Sequence, residues 1–307
     1  MTILQPRLEQ KGIIVENFDY SSVRMNSFNS CALSDVDLDF YLNRKMYGKE
    51  SFKAAFNAKT ITIRFADFQN PSFFFSFSNF SLFIHANESD DRKTFGKLEN
   101  GFLKTRIPLY LKTPEESARE ILTEIKILFN EDKTPMEFEI EADVFLGIDD
   151  KEIKVRLFTE RIGTVTYLKF NDRDIFEAAK SFDLDLSAKE AEIIANHPGK
   201  VPGMIKITRD AKKYSMFEKS KHKTFPEDAY RHIYWSYHLT RAFGPELARE
   251  ITDAHETEIG NTEKEHQMDY HNNEVARNYA KEILSTDEII NRVLHSPDII
   301  RDPNEVR

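Results

Sequence analysis

Cysteine is almost absent from this 307-residue sequence, which contains only Cys31. A single cysteine excludes a disulfide within the chain and a zinc site built from cysteines. The fold must therefore be stabilised by its apolar cores, for which a hydrophobic fraction of 40% with 25 phenylalanines is sufficient. These features predict a protein that is made and folded in a reducing cytoplasm.

Long hydrophobic runs are absent as well. The longest apolar-rich stretch, residues 73–84, is interrupted by polar residues such as Ser76 and Asn79, and it is too short to cross a bilayer as a helix. The opening sequence MTILQPRLEQ lacks the charged region and apolar core of a signal peptide. We therefore expect no transmembrane segment, and any export would depend on separate machinery.

Positive charge is in deficit, because the formal net charge is -9 and the isoelectric point is near 5.6. An acidic surface repels phosphate backbones, so nucleic acid is an unfavoured partner. The exception is a basic stretch that contains Lys212, Lys213, Lys219, Lys221 and Lys223. We interpret this stretch as a solvated linker rather than as an interface for nucleic acid or lipid headgroups.

The first part of the chain has the alternating pattern of antiparallel strands with one buried face. Apolar and polar residues alternate at 59–65, 73–77, 80–84, 105–111, 137–146, 153–158 and 164–170. A capping box at 113–116, with Pro114 at the first helical position, predicts one helix among these strands. We predict that residues 1–175 form a β-rich sandwich or barrel that carries one helix.

Helical patterns replace the strands beyond Asp174. Two short helices are predicted at 175–181 and 188–195, before two Pro-Gly pairs interrupt the chain at 198–199 and 202–203. We predict an α+β protein with three parts. These are a β-rich delivery or recognition domain over 1–175, a helical linker over 176–223 and a small α-helical catalytic domain over 224–307.

The last third contains clear signals for helix starts and ends. Capping-box sequences at 224–227, 262–265 and 285–288 predict three helix starts. Gly244 is suited to end the first helix, and Pro245 is suited to begin another. We therefore predict helices from 224 to about 243, from 245 to about 257 and from 262 to about 284, with a short fourth helix after Ser285.

Ionisable residues concentrate at particular ends of these helices. Short connections make consecutive helices antiparallel neighbours. The start of the first, the end of the second and the start of the third are therefore predicted to meet at one end of a bundle. The residues at those three positions are Asp228, Arg231 and His232, then Asp253, His255 and Glu256, then His266, Asp269, His271, Asn272 and Asn273.

Several of these polar residues fall on apolar helix stripes. His255 continues the stripe of Leu247 and Ile251, and Asn272 lies on the stripe of Met268. A buried polar group without a partner costs about 1–3 kcal/mol, so several at one end predict a polar network or a site. We take His232, His255, Glu256, Asp269 and Arg231 as candidate catalytic residues. We expect Asp228, Asp253, His271, Asn272 and Asn273 to support them.

The same residues resemble a known family. The sequence reads D-A-Y-R-H-I-Y-W from Asp228, A-H-E from Ala254 and M-D-Y-H-N-N from Met268. This order resembles a poorly characterised bacterial C-terminal domain family with motifs close to D-A-F-R-H-A-Y-W, A-H-E and M-D-x-x-N-N-x-x-G-R. Ala276 stands where that family has glycine, and His271 is unusual in the third motif. Many members end secreted or toxin-like proteins, but the resemblance supplies no reaction.

These observations favour a hydrolase domain in a bacterial effector or toxin-like protein, made in the bacterial cytoplasm and exported without a signal peptide. In one chemistry, His232, His255, Glu256 and Asp269 bind a divalent metal, zinc or a similar ion, that activates water. In the other, His255 or His232 is a general base oriented by Asp253 or Asp228, and Arg231 stabilises an anionic intermediate.

The same observations lead to expectations about the substrate and the partners. A cell-envelope substrate, lipid or peptidoglycan, suits an exported acidic enzyme better than nucleic acid does, although a nuclease toxin is an alternative. An immunity protein and export machinery are the implied partners. The rival from another class is a non-enzymatic structural or interaction protein whose polar cluster only pins the helices, and a metal-binding regulatory module is a third possibility.

Overall fold

The computed structural model describes residues 13–42, 52–66, 72–85, 94–108, 123–148 apart from 125 and 129, 151–182, 184–257 and 262–306. The chain divides into two compact units, Met1–Asp174 and Ile175–Arg307. The first unit is built mainly from strands and the second from helices, as the sequence predicts. Within the described residues, no helix is both long enough and apolar enough to span a membrane.

Among the described residues of the first unit, ten strands form one open antiparallel sheet. The strands are β1 (Ile13–Asp19), β2 (Ser22–Ser27), β3 (Ser30–Leu42), β4 (Phe52–Ala66), β5 (Ser72–His85), β6 (Thr94–Pro108), β7 (Lys133–Thr134), β8 (Phe138–Ile148), β9 (Lys151–Ile162) and β10 (Val165–Phe170). Their order is β1-β3-β4-β5-β6-β8-β9-β10-β7, and β2 pairs with β3. The predicted α+β class is confirmed, and the sheet is open rather than closed into a barrel.

Apolar and polar residues alternate along these strands and give the sheet a buried face. Val155 and Leu157 of β9 and Leu168 and Phe170 of β10 are buried, while the residues between them are more exposed. The described positions between 123 and 131 are helical, and Leu128 there is fully buried. The predicted capping box of that helix, at 113–116, lies outside the described residues.

In the part of the chain that the structure describes, seven α-helices follow the sheet. They are α1 (Asp172–Ser181), α2 (Ala188–Ala195), α3 (Val201–Lys221), α4 (Glu227–Phe243), α5 (Pro245–His255), α6 (Glu263–Tyr279) and α7 (Thr286–His295). Helix α4 is central, because α3, α5, α6 and α7 all pack against it. Its buried side chains include Tyr230, Ile233 and Leu239, which form the core of this unit.

Four of the five lysines of the basic stretch, all but Lys223, lie in a helix rather than in a solvated linker. Pro202 and Gly203 lie in the first turn of α3, where a missing N–H leaves no helical hydrogen bond unmade. Ala211 and Ser215 of α3 are buried, and α3 packs against α4. The Pro-Gly pair therefore begins this helix instead of interrupting the chain.

The predicted helix starts have mixed outcomes. Thr262 forms a capping box with Glu265 on α6, and the equivalent box forms at Ser285 on α7. The box predicted at Thr224 does not form, because α4 begins at Glu227 with Pro226 as its cap and without a side-chain hydrogen bond. Gly244 ends α4 with a φ of 91°, which glycine adopts without strain. Helices α5 and α6 end earlier than predicted.

Candidate functional site

His232 on α4 is the centre of a buried polar cluster. Only 2% of the surface of His232 is exposed to solvent. The ring nitrogens face carboxylates on two sides, because Nδ1 lies 3.4 Å from Oε1 of Glu256 and Nε2 lies 3.5 Å from Oδ1 of Asp269. Asp228 Oδ1 is a third carboxylate oxygen, 3.7 Å from Nε2. The imidazole therefore sits among three acidic side chains.

Helix geometry explains this convergence. Asp228 and His232 are four residues apart on α4, which places them on one face. Glu256 is the C-cap residue of α5, and Asp269 lies in the second turn of α6. Because α5 and α6 both pack against α4, these ends meet around His232.

Burial sets the electrostatics of the cluster. Burial raises the pKa of Glu256 to about 7, against an opposing effect of His255. Burial, reinforced by the negative charges of Asp228 and Glu256, raises the pKa of Asp269 to about 8. Burial and then the positive charge of Arg231 hold the pKa of His232 well below its usual range. The protein thus holds close together several groups whose ionisation is opposed by burial.

Two neighbouring residues position Glu256. The side-chain amide of Asn273 donates a hydrogen bond of 3.1 Å to Oε1 of Glu256. The hydroxyl of Ser236 donates to the backbone carbonyl of Asn273 at 3.0 Å. Both residues are fully buried, so Glu256 is fixed beside Nδ1 of His232.

A cavity of about 370 Å³ adjoins the cluster, and its volume is typical of small-molecule sites. His232, Arg231, His255, Glu256 and His266 contribute its polar wall. Its apolar lining includes Leu184, Leu186, Ile194, Met204, Ala211, Trp235, Leu239 and Ile251. The cluster is therefore accessible to a ligand that occupies this space.

Trp235 and His255 are held on the wall of the cavity. The indole nitrogen of Trp235 donates to the hydroxyl of Thr208 at 3.0 Å. The Trp235 and His255 rings meet edge to face, with 5.2 Å between their centroids. Nδ1 of His255 lies 3.1 Å from Oε2 of Glu190. His255 thus lies beside His232 but is oriented by its own carboxylate.

Glu190 lines the same cavity and contacts His255, although its sequence context does not predict this. It is 1% exposed and forms the capping box of α2 with Ser187, whose backbone N–H donates to Oε2 at 2.8 Å. The same oxygen faces His255. The Ser187-x-x-Glu190 spacing was a readable helix-start signal, but nothing in it indicated a partner 65 residues away in sequence.

Three predicted supporting residues have contacts elsewhere. Asp253 pairs with Arg249 at 3.2 Å on the surface of α5. The ring of His271 is exposed and contacts the backbone carbonyl of Asp298 at 2.7 Å. The buried side chain of Asn272 donates to the carbonyl of Ile300 at 2.8 Å and accepts from the Ile300 N–H at 3.1 Å. His271 and Asn272 therefore fix the C-terminal segment.

Arg231 lies at the edge of the cluster. Its guanidinium forms an ion pair with Asp228, and both side chains are about half exposed. It also lines the cavity. Arg231 therefore places a positive charge beside Asp228 and on the wall of the cavity.

One set of side chains could hold a metal ion among the described residues. Asp228, His232 and Asp269 each offer a ligand atom, and these atoms lie within 4.8 Å of one another. Two of the four predicted ligands, His232 and Asp269, belong to this set. Asp228 takes the third place, while His255 contacts Glu190 and Glu256 faces the other nitrogen of His232.

Comparison with known proteins gives one match. Residues 191–297 match a family model described as a domain of unknown function (DUF6973), a range that contains His232, Glu256 and Asp269. No curated protein and no solved structure matches the chain significantly. The helical C-terminal region is therefore similar to a poorly characterised domain family, as its sequence motifs predict at this coarse level.

Proposed function

We propose that the helical unit is a hydrolase domain in which the His232 cluster activates water against a substrate in the adjoining cavity. The observation that supports this most directly is a buried histidine with a carboxylate near each ring nitrogen, on the wall of a cavity of about 370 Å³. A reactive group, an orienting group and space for substrate are the elements that a hydrolytic centre needs, and this proposal assigns them to His232, Glu256 and the cavity.

Each residue has a role in this proposal. Oε1 of Glu256, 3.4 Å from Nδ1 of His232, favours the orientation in which Nε2 faces Asp228 and Asp269. Arg231 on the cavity wall stabilises negative charge that develops on the substrate. His255, oriented by Glu190, is placed to transfer a proton to the leaving group.

We place this hydrolase in a bacterial effector or toxin-like protein that acts on the cell envelope, on lipid or peptidoglycan. The support is the motif resemblance to a family whose members often end secreted or toxin-like proteins; the family model that matches 191–297 carries no function. The net charge of -9 also disfavours a phosphate backbone as substrate. The strand unit would serve recognition or delivery, with an immunity protein and export machinery as partners.

The test is hydrolysis of defined envelope fractions by the purified full chain. Lipid extracts, peptidoglycan sacculi and plasmid DNA are incubated separately with wild-type protein, and products are identified by mass spectrometry. We expect product from an envelope fraction and a loss of at least about 100-fold in rate for His232→Gln. Asp253→Asn, which changes a carboxylate outside the cluster, is the matched control and should keep its activity.

Two results would contradict the proposal in different ways. Cleavage of DNA alone would retain a hydrolase and reject the envelope substrate. Absence of hydrolysis in every fraction, together with a large fall in melting temperature for His232→Gln, would reject the hydrolase. That second outcome would support the non-enzymatic alternative, in which the cluster pins the helices together.

A further inference from the structure

We infer that Asp228, His232 and Asp269 form a binding site for one divalent cation, with Glu256 as the residue that orients His232. The inference rests on the proposed function in taking this ion to serve hydrolysis. The three ligands come from two helices, since Asp228 and His232 share one face of α4 and Asp269 projects from α6. A rigid helix pair therefore supports the whole set.

The distances suit a metal ion. Nitrogen and oxygen ligands at about 2.1 Å from a tetrahedral or octahedral ion stand about 3.0–3.4 Å apart. Nε2 of His232 lies 3.5 Å from Oδ1 of Asp269 and 3.7 Å from Oδ1 of Asp228. All three ligand atoms lie within 4.8 Å of one another. Small side-chain movements are enough to close this set around an ion.

The surroundings of His232 provide an independent indication. The side chain is 97% buried, and among the described residues its Nδ1 has no hydrogen bond of good geometry. Oε1 of Glu256 lies 3.4 Å from this nitrogen. A carboxylate on one ring nitrogen and a metal on the other is the usual arrangement of histidine ligands, because the carboxylate fixes the ring and raises its basicity.

The formal charges of the cluster also favour a divalent cation. When all are ionised, the three carboxylates of Asp228, Glu256 and Asp269 contribute three negative charges, and the guanidinium of Arg231 contributes one positive charge. Two negative charges are left in a mostly buried cluster, where uncompensated charge is expensive. A single divalent ion supplies the matching charge.

The ligand chemistry indicates the class of ion. One imidazole and two carboxylates suit zinc or manganese, and they lack the sulfur ligands of structural zinc sites. Three protein ligands leave coordination positions for water, as in catalytic sites. Asp228 is 45% exposed, so an ion can enter from solvent, and His232 lines the cavity, so the ion lies at its edge.

The test uses the untagged full chain after treatment with a chelator and its removal. Zinc chloride and manganese chloride are titrated separately into the protein by isothermal titration calorimetry. We expect one equivalent of zinc or manganese to bind to the wild type. We expect affinity to fall at least about tenfold in Asp228→Asn and in Asp269→Asn, because each loses a charged ligand.

Matched controls separate this site from adventitious binding and from loss of fold. Asp253→Asn and His271→Gln remove a carboxylate and an exposed histidine from neighbouring positions and should bind as the wild type does. Asp228 is half exposed, so Asp228→Asn leaves the core packing unchanged. Circular dichroism of each variant verifies the helical content.

The outcomes distinguish the site from the proposed function. Stoichiometric binding that is lost in the ligand variants and kept in the controls supports the site, even when no hydrolysis is found. Failure of the wild type to bind either ion overturns the site, as does equal affinity in Asp228→Asn and Asp253→Asn. Hydrolysis that persists in excess chelator, without metal binding, would support the proposed hydrolase function and overturn the metal site.

Discussion

Adjacent residues of α6 have different roles, and Asn272 and Asn273 are the clearest example. Asn273 donates to Glu256, which faces His232. Asn272 instead forms two hydrogen bonds with the backbone of Ile300. Helical phase places both side chains in the interior, but only their contacts separate a site residue from a structural one.

Asn272→Ala tests the structural role. It leaves the N–H and carbonyl of Ile300 without their side-chain partner, so we expect the free energy of unfolding to fall by about 1–3 kcal/mol. The measurement is urea denaturation followed by the fluorescence of Trp235, the single tryptophan. Metal affinity of the folded protein should be unchanged. A loss of metal affinity without a loss of stability would show that Asn272 belongs to the site.

Glu256→Gln tests the positioning role. Glutamine has the same shape and can still accept from Asn273, but it removes the charge beside Nδ1 of His232. We expect affinity for zinc or manganese to fall by about 10–100-fold, the usual effect of losing a residue that orients a metal ligand. Calorimetry measures this affinity, and thermal unfolding in chelator measures stability. Unchanged affinity in this variant would exclude an orienting role for Glu256.

The sequence predicts most residues of the candidate site, but it does not predict contacts between distant segments. His232, Glu256 and Asp269 follow from helix order and phase. Glu190 does not, because its capping position explains its sequence context completely while its contact with His255 arises from packing of α2 on α5. Asp253 was predicted to support the candidate site. Its carboxylate instead pairs with Arg249, which precedes it by four residues on α5.

At the scale of elements, capping boxes predict helix starts well except where proline intervenes. Thr262 and Ser285 cap α6 and α7 as predicted. At Thr224 the same sequence signal fails, because Pro226 lies next to the helix start and serves as the cap residue. Strands β1, β2 and β3 were not predicted individually, and for β2 the reason is clear. Its residues are exposed throughout, so it has no buried face to produce a clear alternation.

Thr262→Ala tests the stability contribution of a helix cap. The hydroxyl of Thr262 accepts from the backbone N–H of Glu265 at 3.3 Å, so its loss should lower the free energy of unfolding by about 0.5–2 kcal/mol. Thr224→Ala is the matched control, because Thr224 does not cap α4, and we expect little change. Urea denaturation of both variants measures the difference. Equal effects would contradict the assigned caps.

At the scale of the whole molecule, buried carboxyl groups in the two units have pKa values that are shifted in opposite directions. Asp143 in the strand unit is buried, which opposes its ionisation, but hydrogen bonds from Lys154, Asn100 and Arg156 lower its pKa to about 2. In the helical unit, burial acts against charge at Glu256 and Asp269 and raises the pKa of both. Asp143 therefore stabilises the strand unit in its ionised form, whereas burial disfavours the ionised forms of Glu256 and Asp269 in the helical unit.

The difference between the folded and unfolded pKa of Asp143 determines how this group changes the free energy of unfolding with pH. A carboxyl whose folded pKa lies below its unfolded value stabilises the folded state above the unfolded pKa. Its contribution is present above about pH 3.9, the unperturbed value for aspartate, and it is lost as the pH falls towards a pKa of about 2. Acid therefore removes a stabilising contribution from the strand unit only under strongly acidic conditions.

We expect protonation of His238 to destabilise the helical unit in milder acid than Asp143 requires. Its ring lies 4.2 Å from the ring of Tyr234 and 5.0 Å from that of Tyr237, between centroids. Burial lowers its pKa from 6.5, while Asp210 acts against this and Lys206 adds to it. A histidine with a lowered folded pKa binds protons more readily in the unfolded chain. Its neutral form therefore stabilises the fold above pH 6.5, and this contribution is lost as the pH falls below that value.

His238→Phe isolates this contribution, because phenylalanine keeps an aromatic ring between the two tyrosines and cannot take up a proton. We expect the stability of the wild type relative to the variant to be constant above about pH 7 and to fall as the pH is lowered from 6.5 to 5. Urea denaturation at each pH, followed at Trp235, gives this difference and cancels the titration of groups common to both proteins. A difference that stays constant over this range would mean that His238 has the same proton affinity in the folded and unfolded chains, and that burial between Tyr234 and Tyr237 does not oppose its charge.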